Sequence, residues 1–167
     1  MNGLISEQLS LPTIRRSTKV ALVCQLVAAG YLQLVEWVDL FPWNDLSKGN
    51  GQERLDVVLL AVQLLIAFWY YRQWLWFMCL GWTSYVVWLY LQWAGWWQPY
   101  LFGGRVVGPN WYFAKTYKFL PQIDQRPTPD ADHIVLELFL VGVLVSGGVA
   151  IWWTYRAKQA AAGAKAI

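Results

Sequence analysis

Four stretches of this chain, at about 19–41, 54–70, 74–97 and 133–155, are apolar for close to the thickness of a bilayer. A helix needs roughly 20 apolar residues to cross about 30 Å of hydrocarbon. Its backbone polar groups must be satisfied within the segment, so a lone apolar stretch crosses as an α-helix. The pattern predicts an all-α integral membrane protein: a four-transmembrane antiparallel helix bundle with one long extracytoplasmic loop at 98–132. Short connections after the first and second spans make the first three antiparallel neighbours. With cytoplasmic tails at 1–18 and 156–167, the chain is expected to form one membrane domain, and the second tail extends the last helix.

Local signals set the expected ends of the spans. Pro42 closes the first and Pro99 the third, because the residue before a proline is driven out of helical geometry. Asn50-Gly51-Gln52-Glu53 reads as a capping box opening the second span. Asp130 or Asp132 is placed to cap the fourth. The aromatic run from Trp111 to Leu120, with Lys115 and Lys118, predicts a short helix lying on the membrane surface. The first apolar stretch is too long and begins too late for the core of a cleavable signal peptide.

Composition narrows the classes. Charged residues make up 14% of the chain, against about 25% in soluble domains. The 13 tryptophans suit a chain that meets two membrane–water interfaces, where an apolar ring with a polar N–H is at home. One belt would hold Trp43, Trp93, Trp96, Trp97, Tyr100 and Trp111; the other Trp69, Tyr70, Tyr71, Trp74, Trp76, Trp152, Trp153 and Tyr155. Trp82 and Trp88 fall mid-span, as packing residues or the lining of a groove. A net charge of +3 without a basic aromatic stripe excludes nucleic acid as a partner. Cys24 and Cys79 form no CxxC and read as small buried hydrophobes.

Lys and Arg divide almost evenly between the two sides, but Arg15, Arg16, Lys19, Arg156 and Lys158 crowd the span ends next to the termini. The rule that weights charges close to span ends puts both termini in the cytoplasm. The expected location is the plasma membrane, in particular a bacterial inner membrane.

Five ionisable residues fall at one depth, at the outer ends of three spans. Glu36 and Asp39 are three apart on the first span, Asp56 opens the second, and His133 and Glu137 are four apart on the fourth. Arg54 is the nearby ion-pair partner. Charge inside a membrane costs roughly 2.5–3.5 kcal/mol by insertion scales, so such groups turn inwards and pair. Carboxylates with a histidine can bind a divalent metal, yet bundle sites of that kind use Glu-x-x-His on paired helices. This chain has a single histidine, so no metal is expected. Gln25, Gln33, Gln63 and Gln92 are expected to hydrogen-bond between helices. Gly142, Ser146 and Ala150 recur every four residues as a helix-packing face.

No phosphate-cradling loop, zinc spacing or convincing nucleophile set appears, and no cofactor is implied. The leading expectation is a non-enzymatic sensor, scaffold or subunit of a membrane assembly. Its partners are the lipid bilayer and either further copies of itself or another membrane protein. An oligomeric transporter or channel using the intramembrane carboxylates, and a lipid-acting enzyme using the carboxylate–histidine cluster, are the alternatives.

Overall fold

The computed structural model describes residues 15–44, 53–103 and 116–164, and among them every regular element is helical. Helix α1 runs Arg16–Trp37, α2 Glu53–Tyr71 and α3 Leu75–Gln92. A π-helical turn, Trp93–Trp97, leads without a break into the short α4, Gln98–Phe102. Helix α5, Ala131–Ala164, is the longest and carries helical geometry well into the predicted tail.

Two of these helices, over Arg16–Trp37 and Ala131–Gly163, are long and apolar enough to cross a membrane; Asp56–Tyr71 is a shorter apolar helix. Each of α1 and α3 packs against both α2 and α5. Helices α1 and α5 run in opposite directions, since Arg15 meets Trp153 at one end and Tyr31 meets Asp132 towards the other. Between them lies a core of Ala21, Ala28 and Leu32 from α1, Ile66 and Tyr70 from α2, Met78 and Tyr85 from α3, and Leu136, Leu140, Val143 and Ala150 from α5. Small residues let these helices close up. A Cβ on Gly81 would stand 2.5 Å from Ile66 Cγ2, and one on Gly147 would stand 2.8 Å from the Tyr70 hydroxyl. The outward faces are apolar as well: Val23, Leu138 and Val145 are each at least 60% exposed. A helix apolar on every side suits hydrocarbon surroundings.

Two span ends differ from expectation. Helix α1 stops at Trp37, not next to Pro42, because the Asn44 side chain takes over its last carbonyls. The Asn44 amide donates to Val35 O and, at 2.9 Å, to Val38 O, while its Oδ1 accepts from Leu40 N at 2.7 Å. Pro99 does not close the third helical run; it sits in the first turn of α4. A proline has no N–H for the carbonyl four residues back and clashes with it. The π turn just before it widens the backbone there, with Gln98 N bonding to Trp93 O, five residues back. The run instead ends at Gly103, whose φ of 76° only glycine adopts readily. Arg126 bonds the exposed carbonyls of Tyr100 and Leu101.

Three further expectations meet the structure. The described part of the surface-helix segment, 116–120, is not helical; 111–115 and the first three residues of the capping box, 50–52, lie outside the described residues. Tyr70, expected in an aromatic belt, is buried in the core at 1% exposure. Gln25 and Gln63 are buried, but neither Gln25 polar atom nor Gln63 Oε1 has a hydrogen-bond partner. The cross-helix bond expected of Gln25 is therefore absent among the described residues.

Candidate functional site

The end of the molecule where α1 finishes and α5 begins gathers the polar side chains. Asp130 is fully buried and caps α5: its Oδ1 accepts from His133 N at 3.0 Å and lies 2.6 Å from His133 Nδ1. Its Oδ2 accepts from the Thr116 hydroxyl at 2.8 Å. One aspartate therefore joins the first turn of α5 to the incoming loop. Burial by itself raises the Asp130 pKa, but the hydrogen bonds and charge of His133, with the Thr116 hydroxyl, outweigh it and hold the carboxyl below its ordinary value. Lys118 bonds Thr116 O and its hydroxyl; burial lowers its pKa, and the negative charge of Asp130 opposes that.

Beside this cap runs a second chain of bonds. Trp43 Nε1 donates to the Tyr31 hydroxyl at 2.9 Å, and that hydroxyl donates to Asp132 Oδ1 at 2.6 Å. The turn after α1 is thereby tied to α1 itself and to α5. Backbone bonds reinforce it, from Tyr117 N to Pro42 O at 2.6 Å and from Ala131 N to Tyr117 O at 2.9 Å. From the third helical run, the Trp96 ring lies 4.3 Å from the His133 ring, centroid to centroid, and Trp97 Nε1 donates to Glu137 Oε2. The Tyr100 hydroxyl donates to Pro121 O at 3.0 Å, so the loop closes over this run as well.

The predicted cluster can now be placed residue by residue. His133 and Glu137 stand on α5 within this polar end, and Asp56 is buried at the start of α2. Glu36 is half-buried and within electrostatic reach of Asp56, Asp132 and His133. Asp39 does not join them. With α1 ending at Trp37, it falls in the exposed turn and accepts from Phe41 N at 3.3 Å, so the shared helical face drawn for Glu36 and Asp39 does not form. Arg54 belongs to α2, but its side chain lies outside what the structure describes. Of the small-residue face, Ala150 is fully buried in the core, whereas Gly142 and Ser146 line an open groove. Among the α5 glycines, the tightest contact is at Gly147 instead, against the Tyr70 hydroxyl.

Tyr31, Trp43, Asn44, Trp96, Trp97 and Thr116 were absent from the sequence reading of the site. No local pattern links Tyr31 to Asp132, which is 101 residues away. Asp130 and Asp132 were legible as helix caps only.

Ligand atoms of Asp130, Asp132 and His133 lie within 4.8 Å of one another, close enough to hold one ion. Both Asp130 oxygens, Asp132 Oδ1 and His133 Nδ1 carry the bonds that build the cap. Glu137 is the exception. It is 9% exposed, Oε2 accepts from Trp97, and Oε1 has no hydrogen-bond partner. Trp82, the mid-span groove candidate, donates from Nε1 to Leu144 O at 2.9 Å and lies against Gly147 and Gly148, which makes it a packing residue.

Comparison with protein-family models, with curated proteins and with solved structures gives no match. What defines this chain is therefore its fold and its own polar end: an all-helical protein with two membrane-length helices.

Proposed function

We propose that this protein is a non-enzymatic membrane component, a sensor, scaffold or subunit of an assembly. In this reading it forms a four-span bundle with both termini in the cytoplasm, in a bacterial inner membrane. The length of the helical runs supports four spans. At 1.5 Å per residue, the 19 residues of α2 extend about 28 Å, and the unbroken helical run from Leu75 to Phe102 about 42 Å.

The observation that carries the reading is the use made of Asp130. Both its oxygens serve to join the start of α5 to the loop, and Asp132 and His133 are bonded in the same end-piece. These groups act as ties between elements. Thermal unfolding of the purified protein tests this, comparing wild type with Asp130→Asn and His133→Gln, with and without Mn²⁺ or Zn²⁺. A structural end-piece gives lower midpoints for both variants and no shift with metal in any of the three proteins. A metal-dependent rise in wild type that both variants lose overturns the reading.

A second reading, an oligomeric carrier of protons or cations, is favoured by a different observation. Glu137 Oε1, both polar atoms of Gln25, Gln63 Oε1 and the Tyr85 hydroxyl are buried without partners. Buried polar groups in this state are what internal water satisfies. Proteoliposomes loaded with a pH-sensitive dye separate the readings: proton flux abolished by Glu137→Gln establishes the carrier, and no flux retains the non-enzymatic component.

A further inference from the structure

Towards the opposite end of the molecule from the polar end-piece, a groove of about 700 Å³ runs along α1 and α5. Gly142, Ser146 and Val149 line it along α5, Val20 lines it along α1, and Arg15 and Arg16 stand at its mouth. Ser146 bonds back to Gly142 O at 2.7 Å, so its hydroxyl is satisfied and the wall is apolar. A Cβ on Gly142 would meet nothing within 4 Å.

Three features of the mouth favour an anion. Arg15 and Arg16 are both exposed. Arg15 Nη1 donates to Trp153 O at 3.2 Å, which anchors its guanidinium on the rim and leaves most of its N–H groups unspent. Helix α1 opens there with no acidic residue in its first turn and no side-chain cap from Arg15, so among the described residues nothing offsets the positive end of the helix.

The length of the groove selects the occupant. From Gly142 to Trp153 along α5 it extends about 16 Å, at 1.5 Å per residue. That is about half of a 30 Å hydrocarbon core, the share of a single leaflet. A partner helix crossing the whole membrane would need a seam of twice that length.

We propose that this groove binds one anionic phospholipid, with an acyl chain laid beside Gly142 and Ser146 and the phosphate held by Arg15 and Arg16. Basic sites between membrane helices at the cytoplasmic surface suit anionic head groups for this reason. The inference rests on the membrane reading above, but not on which assembly the protein serves.

The test is native mass spectrometry of detergent-purified full-length protein titrated with phosphatidylglycerol or, separately, phosphatidylcholine. Wild type is expected to retain one phosphatidylglycerol in preference to phosphatidylcholine. Replacing both arginines (Arg15→Gln with Arg16→Gln) weakens that adduct roughly 10- to 30-fold, and Gly142→Leu, which fills the groove, weakens binding of both lipids. Equal retention of the two lipids by wild type, or unchanged binding in both variants, overturns the proposal. So does a wild-type dimer that Gly142→Leu dissociates, because a second copy would then fill the groove. Unfolding in lipid-free detergent shows that each variant is folded. Alkaline carbonate extraction of membranes, run alongside, tests the membrane reading alone: release of the protein would sink that reading, whatever the lipid result.

Discussion

The two ends of the α1–α5 pair solve opposite problems. Where α1 ends and α5 begins, carboxylates, an imidazole and aromatic N–H groups are drawn together and bonded across α1, α5, the third helical run and the loop. Where α1 begins and α5 ends, a groove lined mostly by apolar side chains runs along the same two helices. In the proposed membrane setting, the difference follows from what hydrocarbon penalises. An unpaired charge there is costly, so polar groups are ordered and tied. Lipid tails are as apolar as the side chains they touch, so an apolar groove can stay open at little cost. Aromatic clustering follows the same division. At the α2–α3 turn, Trp69, Phe77, Trp74 and Phe68 stack at centroid distances of 5.2–5.8 Å, and Arg72 lies 5.6 Å from the Trp74 ring, with no hydrogen-bond network like that joining Trp43, Tyr31 and Asp132.

Substitutions at the two ends should therefore differ in kind. The largest loss is expected from Asp130→Ala, which strips the cap from α5 and leaves Thr116 and His133 without their shared acceptor. About 3 kcal/mol should be lost, read from denaturant unfolding in detergent. If this variant unfolds like wild type, the end-piece is not the tie described here. Packing supplies the next contrast. Gly81→Ala pushes a methyl group into buried Ile66 and should cost about 2 kcal/mol. Gly142→Ala, in the open groove, should stay within about 0.5 kcal/mol of wild type by the same measurement. Asn44→Ala removes the bonds that end α1 and should cost about 1–2 kcal/mol, with faster amide exchange at 35–40 as its local signature.

Acidity sharpens the comparison further. Asp130 has its carboxyl held below its ordinary value in the fold. Such a group contributes stability that is fully present above its unfolded pKa and is lost as pH falls through the folded one. Midpoints of wild type should therefore drop below about pH 4, the ordinary carboxylate value, and that part of the drop should vanish in Asp130→Asn. An effect of opposite sign is expected at Glu137. Its Oε1 has no partner, and an amide keeps an acceptor for Trp97. Glu137→Gln should raise stability by about 1 kcal/mol, whereas a loss would mean that the charge itself is a tie.

Much of the architecture was legible from the chain. The four apolar runs coincide with the described helices α1, α2, α3 and α5, and Glu36 lies within electrostatic reach of Asp56 and His133. Two kinds of error arose. Proline was read as a stop at Pro99, although a π turn before it lets the helical run continue, and α1 closes earlier than Pro42 under the hold of Asn44. Asp39 was assigned to a helical face that the early end of α1 removes. Both errors depend on where backbone carbonyls find donors, which residue spacing does not reveal.

The sequence by itself determined that this chain is helical and apolar on the scale of a membrane, because hydrocarbon demands satisfied backbones and tolerates few charges. It also placed His133 and Glu137 one helical turn apart, because helical periodicity is constant. Only the tertiary structure decided their roles. Asp130 became the junction because Thr116 and His133 reach it from different segments. Glu137 kept an unbonded oxygen because Trp97 meets only its neighbour. The small-residue face was divided, with Ala150 in the core and Gly142 in the groove. The Thr116 and Trp97 contacts join residues 14 and 40 apart in the chain, where side-chain geometry and not periodicity decides who meets whom.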